Sequence, residues 1–297
     1  EINYRDWSSD VCSSDLGNDR PIHMTTKEGV IMSWSWAALM PHPPILVPEV
    51  GRGREREADA TLDGLFLLLD RIFESPAPDR ILLLSPHQPY APGALSINGA
   101  RRVRGSLASF GAGEVAFDLR TPPDDTKTLA DFLAERKTPV RLHESHDLSR
   151  DQGSLVPLYF LEKRLGRLPP VILANAVGLE AEEAFDAGRA LAEFDDGRRW
   201  AMVASGDLSH RLRPGAPAGY SPSGAIFDEA VQKALLSCDA GVLKEMPART
   251  REEAGECGLR SVMVMLGLCS ALGGGIDVLS YEGPFGVGYC NAVWTKE

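Results

Sequence analysis

The sequence predicts an α/β fold: a three-layer α/β/α sandwich around a largely parallel or mixed central sheet. Three observations carry this. Strand-length apolar runs such as RILLL and VILAN alternate along the chain with longer segments of helical periodicity. Those runs are apolar throughout, which marks strands buried on both faces, as in a sheet covered by helices on each side. The 297 residues, 43% apolar and 25% charged, suffice for one sizeable core. No internal repeat and no linker-like stretch divides residues 32–297, so a single domain is expected there.

The elements follow in order. Residues 36–40 of WAALMPHPP form an apolar strand that ends in a proline-rich loop around His42. Residues 55–74 set Leu62, Leu65, Phe66, Leu69, Ile72 and Phe73 at helical spacing between charges. DRILLLSPH is a buried strand after a turn and ends at His87. ALSING and GEVAFDL read as strands around a loop carrying Arg101, Arg102 and Arg104. TKTLADFLAERK is an amphipathic helix, and PVRLHESH a strand running into a loop. GSLVPLYFLEKRL is a helix and PPVILANAV a buried strand. Residues 180–195 are helical, and RRWAMVASGDLSH is a strand followed by a polar loop. GAIFDEAVQKALLSC and GECGLRSVMVMLGLCSAL are helices, the second with an apolar face too wide to be exposed. IDVLSYEGP and GVGYCNAVW close the domain as two strands.

Charge and composition exclude several partners. A net charge of -11 argues against nucleic acid and against an anionic membrane surface. The longest apolar runs are strand-length, so no membrane span is expected. Cys12, Cys238, Cys257, Cys269 and Cys290 are odd in number and lack CxxC spacing, which reads as reduced thiols in the cytoplasm. Residues 1–31 carry the low-complexity echo SSDVCSSDL and no signal-peptide architecture. They resemble translated sequencing-adapter read-through. A non-native, disordered segment is expected there, with Met32 as the natural start.

The chemistry-bearing residues cluster at strand ends. His42, His87 and the pair Asp207/His210 each follow a predicted buried strand, the edge where open α/β sheets assemble ligand sites. MPHPP and SPHQP share a P-H-x-P pattern, in which flanking prolines stiffen the loop and hold the imidazole for metal ligation. The plainer reading is a proline-rich turn where histidine is incidental. ASGDLSHRL sets a carboxylate near an imidazole able to trade a proton near neutral pH, although Asp207 also reads as a helix N-cap. In GECG, Glu256 and Cys257 are each a metal donor, or else a first-turn acid and a small buried hydrophobe. A serine hydrolase elbow, a phosphate-binding glycine loop and a zinc-peptidase HExxH are all absent.

Taken together, MPHPPILVPEVG, LLLSPHQP, DQGSLVPLYFL, ASGDLSHRL, GECGLRS and GPFGVGYCNA resemble the LigB-like class III extradiol ring-cleavage dioxygenases over about residues 35–294. The branch associated with AMMECR-type domains is most similar, with Memo-like proteins as cousins. The resemblance implies a three-layer fold, a cytoplasmic enzyme of aromatic catabolism, and a non-haem Fe(II) held by two histidines and a carboxylate. Zinc, manganese or copper are the alternative metals. By position it implies His42, His87 and Glu256 as ligands, with Cys257 the alternate third ligand. It also implies His210 as the catalytic acid/base, and Asp207, three residues earlier, is the second catalytic candidate read from ASGDLSHRL.

Such a triad leaves positions for a catechol-type diol and dioxygen. The resemblance implies that His210 would accept a hydroxyl proton and return one as the O–O bond breaks. Relatives commonly read DHG where this chain has Asp151-Gln152-Gly153. Gln152 can hydrogen-bond to substrate there but cannot transfer a proton, and His146 is the candidate to compensate. A second reading, a repurposed Memo-like protein binding metal or a small ligand, stays open through Cys257. Its expected partner is a separate AMMECR-type protein, and a homo-oligomer is the other expected assembly.

Overall fold

The computed structural model describes residues 33–296. The expectations for residues 1–31 and for Met32 lie outside them. In chain order the elements are β1 (Trp34–Met40), α1 (Pro48–Gly51), α2 (Asp59–Glu74), β2 (Arg80–Leu84), β3 (Leu95–Asn98), β4 (Arg102–Leu107) and β5 (Ala112–Arg120). Then come α3 (Pro123–Glu135), β6 (Val140–His143), α4 (Gln152–Leu165), β7 (Val171–Asn175), α5 (Ala181–Ala192) and β8 (Trp200–Ser205). The chain finishes with α6 (Pro222–Ser237), α7 (Gly241–Lys244), α8 (Ala248–Ala254), α9 (Leu259–Leu272), β9 (Asp277–Glu282) and β10 (Tyr289–Thr295).

Eight strands form one mixed sheet in the order β6-β3-β7-β2-β8-β1-β10-β9. Its centre, β7-β2-β8-β1, is parallel throughout. The two-residue period of a strand sends alternate side chains to opposite faces. In β2, Leu82 and Leu84 join one apolar layer, and Ile81 and Leu83 join the other. Each is wholly buried, worth about 1.5–3 kcal/mol per side chain. The first layer is completed by α3, α5, α6 and α9, the second by α2 and α4. This is the α/β/α sandwich that the alternating pattern predicts.

Two local readings need correction. The segment read as a loop carrying Arg101, Arg102 and Arg104 contains β4, which pairs antiparallel with β5 in a separate two-stranded sheet. Val103 and Leu107 turn inward while Arg102 and Arg104 reach Asp118 across the hairpin. The outward arginines hide the apolar alternation from a sequence scan. The helix read from GECG onward begins only at Leu259, after a separate α8 that ends in Gly255 at φ +62°. That left-handed cap suits glycine and breaks the run just before Glu256 and Cys257. Among the described residues no single helix is long and apolar enough to cross a membrane.

Candidate metal centre

Sheet register builds the site. Leu39 pairs with Ala204, and Ala204 with Leu84, so these three residues share one row across β1, β8 and β2. His42, Asp207 and His87 each lie three residues beyond that row, where the strands end and the loops begin. Parallel neighbours stand about 4.8 Å apart, so equal overshoot brings the three side chains to one place.

His42 is the hub. Its Nε2 lies 3.1 Å from His87 Nε2, 3.7 Å from Cys257 Sγ and 3.9 Å from Asp207 Oδ2. Its Nδ1 is 2.9 Å from Ser205 Oγ, a contact that leaves Nε2 to face the cluster. The backbone N–H of His42 donates to Asp207 Oδ1 at 2.9 Å, which ties the β1 loop to the β8 loop. His210 Nε2 approaches Cys257 Sγ at 3.7 Å, and Gln152 Nε2 approaches His87 Nε2 at 3.1 Å. Among the described residues, the donor atoms of His42, Asp207 and Cys257 lie within 4.8 Å of one another.

Two of the residues expected at the site lie outside the cluster. Glu256 does not join the cluster: its carboxylate accepts the Leu259 N–H at 2.6 Å and caps the start of α9. Cys257 faces the histidines instead, held where its Sγ accepts the Asp207 N–H at 3.4 Å. The two backbones meet closely enough that a Cβ on Gly258 would fall 2.8 Å from the Asp207 carbonyl oxygen. His146 is also elsewhere. Its exposed ring sits at the β4–β5 hairpin with Nδ1 2.9 Å from the Arg102 carbonyl. Arg104 draws it there through backbone hydrogen bonds with His146 and Leu148.

Burial sets the protonation states. It lowers His42 to about 4, with the Asp151 charge opposing and His210 adding to the fall. It also lowers His87, helped by His42, and His210. Burial raises Asp207 to about 6 against the His42 N–H bond, and raises the Cys257 thiol well above its ordinary value. The imidazoles are therefore neutral and ready to ligate near pH 7. The thiol keeps its proton unless a cation displaces it.

Residues outside the sequence expectations support the cluster. Ser205 orients His42. Asp228, buried under the β8 loop, accepts from Ser209 N and from the Tyr281 hydroxyl, both at 2.8 Å. No local motif marks Asp228, and Ser205 lies in ASGDLSHRL without a role legible there. Burial raises the Asp228 carboxyl to about 7, opposed by those two hydrogen bonds.

A three-layer domain with buried imidazole, carboxylate and thiol donors at the carboxyl edge of its parallel strands defines a candidate metalloprotein of the α/β class. The chain belongs to the LigB family: residues 36–291 match the family described as the catalytic LigB subunit of aromatic ring-opening dioxygenase. A curated protein of Clostridium acetobutylicum is 32% identical over 268 residues, covering 87% of this chain and 57% of that relative. The chain thus spans a little over half that relative's length. A crystal structure of an uncharacterised protein from Escherichia coli K12 shares the fold at TM-score 0.56 and 18% identity, over 87% of this chain and 99% of that one.

Two stability measurements check this description. Removing the Glu256 cap in Glu256→Ala should cost on the order of 1 kcal/mol in urea unfolding. Asp228→Asn isolates the second buried carboxyl. The native group titrates at about 7 and an unfolded aspartate near ~4. Between those values the native state holds a proton that the unfolded chain has lost, so wild-type stability falls as pH rises through the window. The stability of wild type minus that of Asp228→Asn should therefore decline from about pH 4 to about pH 7 and level off above. A difference that climbs with pH would contradict a raised Asp228.

Proposed function

We propose that this protein is a metal-dependent extradiol dioxygenase that opens the ring of a catechol-type diol with dioxygen, using Fe(II). Donor spacing most directly supports metal binding, which this reading requires. Metal–nitrogen bonds of about 2.1 Å at angles of about 90–115° separate two nitrogens by roughly 3.0–3.5 Å. A metal–sulfur bond of about 2.3 Å at the same angles separates nitrogen and sulfur by roughly 3.1–3.7 Å. The 3.1 Å between the His42 and His87 nitrogens and the 3.7 Å from His42 to Cys257 fit both ranges. The donor chemistry agrees, since each imidazole is held neutral. His42 and His87 would hold the metal, and Asp207, whose Oδ2 stands 3.9 Å from His42 Nε2, would have to move closer to complete a two-histidine, one-carboxylate set. Bound there, Fe(II) supplies open positions at which a diol and dioxygen can meet.

The chain's own groups divide the remaining work. His210 is half-buried with its basicity lowered, so at neutral pH it is free to accept a hydroxyl proton from the diol. Gln152 reaches the cluster and can donate hydrogen bonds through its amide, but it carries no exchangeable acid. A reducing cytoplasm suits the free thiol of Cys257. That thiol also favours a second reading, a Memo-like protein in which Cys257 replaces Asp207 as third donor. The softer sulfur then shifts preference toward zinc or copper, and an AMMECR-type partner replaces the aromatic substrate.

Anaerobic loading with Fe(II), followed by a catechol panel, tests the enzyme reading. Oxygen uptake with yellow ring-opened product is the expected result, and iron bound without turnover across the panel would sink it. His210→Ala should abolish turnover while iron stays bound. Metal content of Asp207→Asn and Cys257→Ser separates the two donor sets. The dioxygenase reading expects the larger loss in Asp207→Asn, and the Memo-like reading expects it in Cys257→Ser.

A further inference from the structure

We infer that Asp151 is a positioning residue: it locks the start of α4 to the end of β2 and thereby holds His87 and Gln152 against His42. Asp151 is buried, and both of its oxygens are engaged by groups from two distant segments. From the β2 loop, Ser85 Oγ donates to Oδ1 at 2.5 Å and the Gln88 amide donates to Oδ2. From α4, the Ser154 N–H donates to Oδ1 at 2.9 Å and its hydroxyl to Oδ2 at 2.5 Å.

Ser85 Oγ in turn accepts the His87 N–H at 3.2 Å, so a single hydroxyl links the carboxylate to the backbone of the imidazole it serves. Gln152 follows Asp151 directly, and its amide meets His87 Nε2 on the far side. Gly153 permits the approach, because a Cβ there would fall 2.3 Å from Ser85 Oγ and 3.1 Å from His87 Cδ2. The three residues Asp-Gln-Gly act together as clamp, contact and clearance.

The choice of carboxylate follows from its surroundings. Four donors converge on two oxygens, and only an ionised carboxylate accepts from all of them without presenting a proton of its own. Asparagine caps a helix about as well as aspartate, so Asp151→Asn should keep α4 folded. It replaces one acceptor oxygen with an NH2 that faces donors. Ser85→Ala cuts the link to His87 while leaving the α4 cap intact.

The first experiment needs no metal. Metal-free wild type, Asp151→Asn and Ser85→Ala are treated with diethyl pyrocarbonate, and each histidine is followed by peptide mass spectrometry. Buried His42 is the slow reference and exposed His146 the fast one. Modification of His87 should accelerate several-fold in both variants with His146 unchanged. Unchanged His87 reactivity in both folded variants would overturn the inference.

The second experiment rests on the metal reading proposed above and uses Co(II) as probe. Loss of a group that orients a ligand typically weakens metal binding about ten- to a hundredfold. Asp151→Asn should show such a loss, with its ligand-field spectrum shifting toward that of His87→Ala. Wild-type affinity and spectrum in Asp151→Asn would also overturn the inference. A wild type that binds no Co(II) counts against the metal reading alone, and the His87 reactivity then decides the role of Asp151.

Discussion

Parallel pairing of β2, β8 and β1 in a common register is the constraint on which the site depends. Because Leu39, Ala204 and Leu84 share a row, a fixed overshoot delivers His42, Asp207 and His87 together with no need for a long loop. A register shift of one residue in β8 would turn Asp207 away and exchange its buried and facing side chains. Apolar burial on both faces resists that shift. Every side chain of β8 is buried, so slippage would disturb two cores at once. Precision at the site is inherited from hydrophobic packing several ångströms below it.

Burial then gives the cluster its electrostatic character. The imidazoles lose basicity, and Asp207 and Cys257 hold their protons more tightly, so each group moves toward its neutral form. Neutral groups avoid the large cost of several unscreened charges packed at hydrogen-bond distance. A dication reverses this balance. The imidazole lone pairs of His42 and His87 would hold it, and Asp207 or Cys257 would give up a proton on joining it, so affinity for metal would be coupled to proton release.

What the sequence disclosed depended on how locally each feature is determined. His42, His87, Asp207 and His210 were legible because each sits just beyond an apolar run, and strand ends can be read from composition. Gln152 was legible only through the resemblance, at the place between Asp151 and Gly153 where relatives commonly carry histidine. The choice between Glu256 and Cys257 was not, since it turns on the backbone path from Gly255 to Gly258, and that path is set by contact with Gly206 and Asp207 fifty residues away in the chain. His146 misled because nearness in sequence to Gln152 suggested nearness in space. The pairing of β4 with the 146–148 segment carries it off to the hairpin. Ser85 and Ser205 lie inside the quoted motifs LLLSPHQP and ASGDLSHRL, but their roles, like that of Asp228, were not legible, because a buried hydroxyl or carboxyl is identified only by partners that folding supplies.

Strand order has a further consequence. β1 and β2 are not neighbours; β8, made much later, lies between them. The hydrogen bond from His42 N to Asp207 spans 165 positions along the chain. During synthesis His42 and His87 therefore emerge long before the strand that must separate and align them. An N-terminal fragment, however well its helices form, lacks the middle of its own sheet. Closing so long a loop is slow compared with local helix formation. The donor cluster can therefore be completed only after β8 has been made, when segments far apart in the chain meet in one sheet.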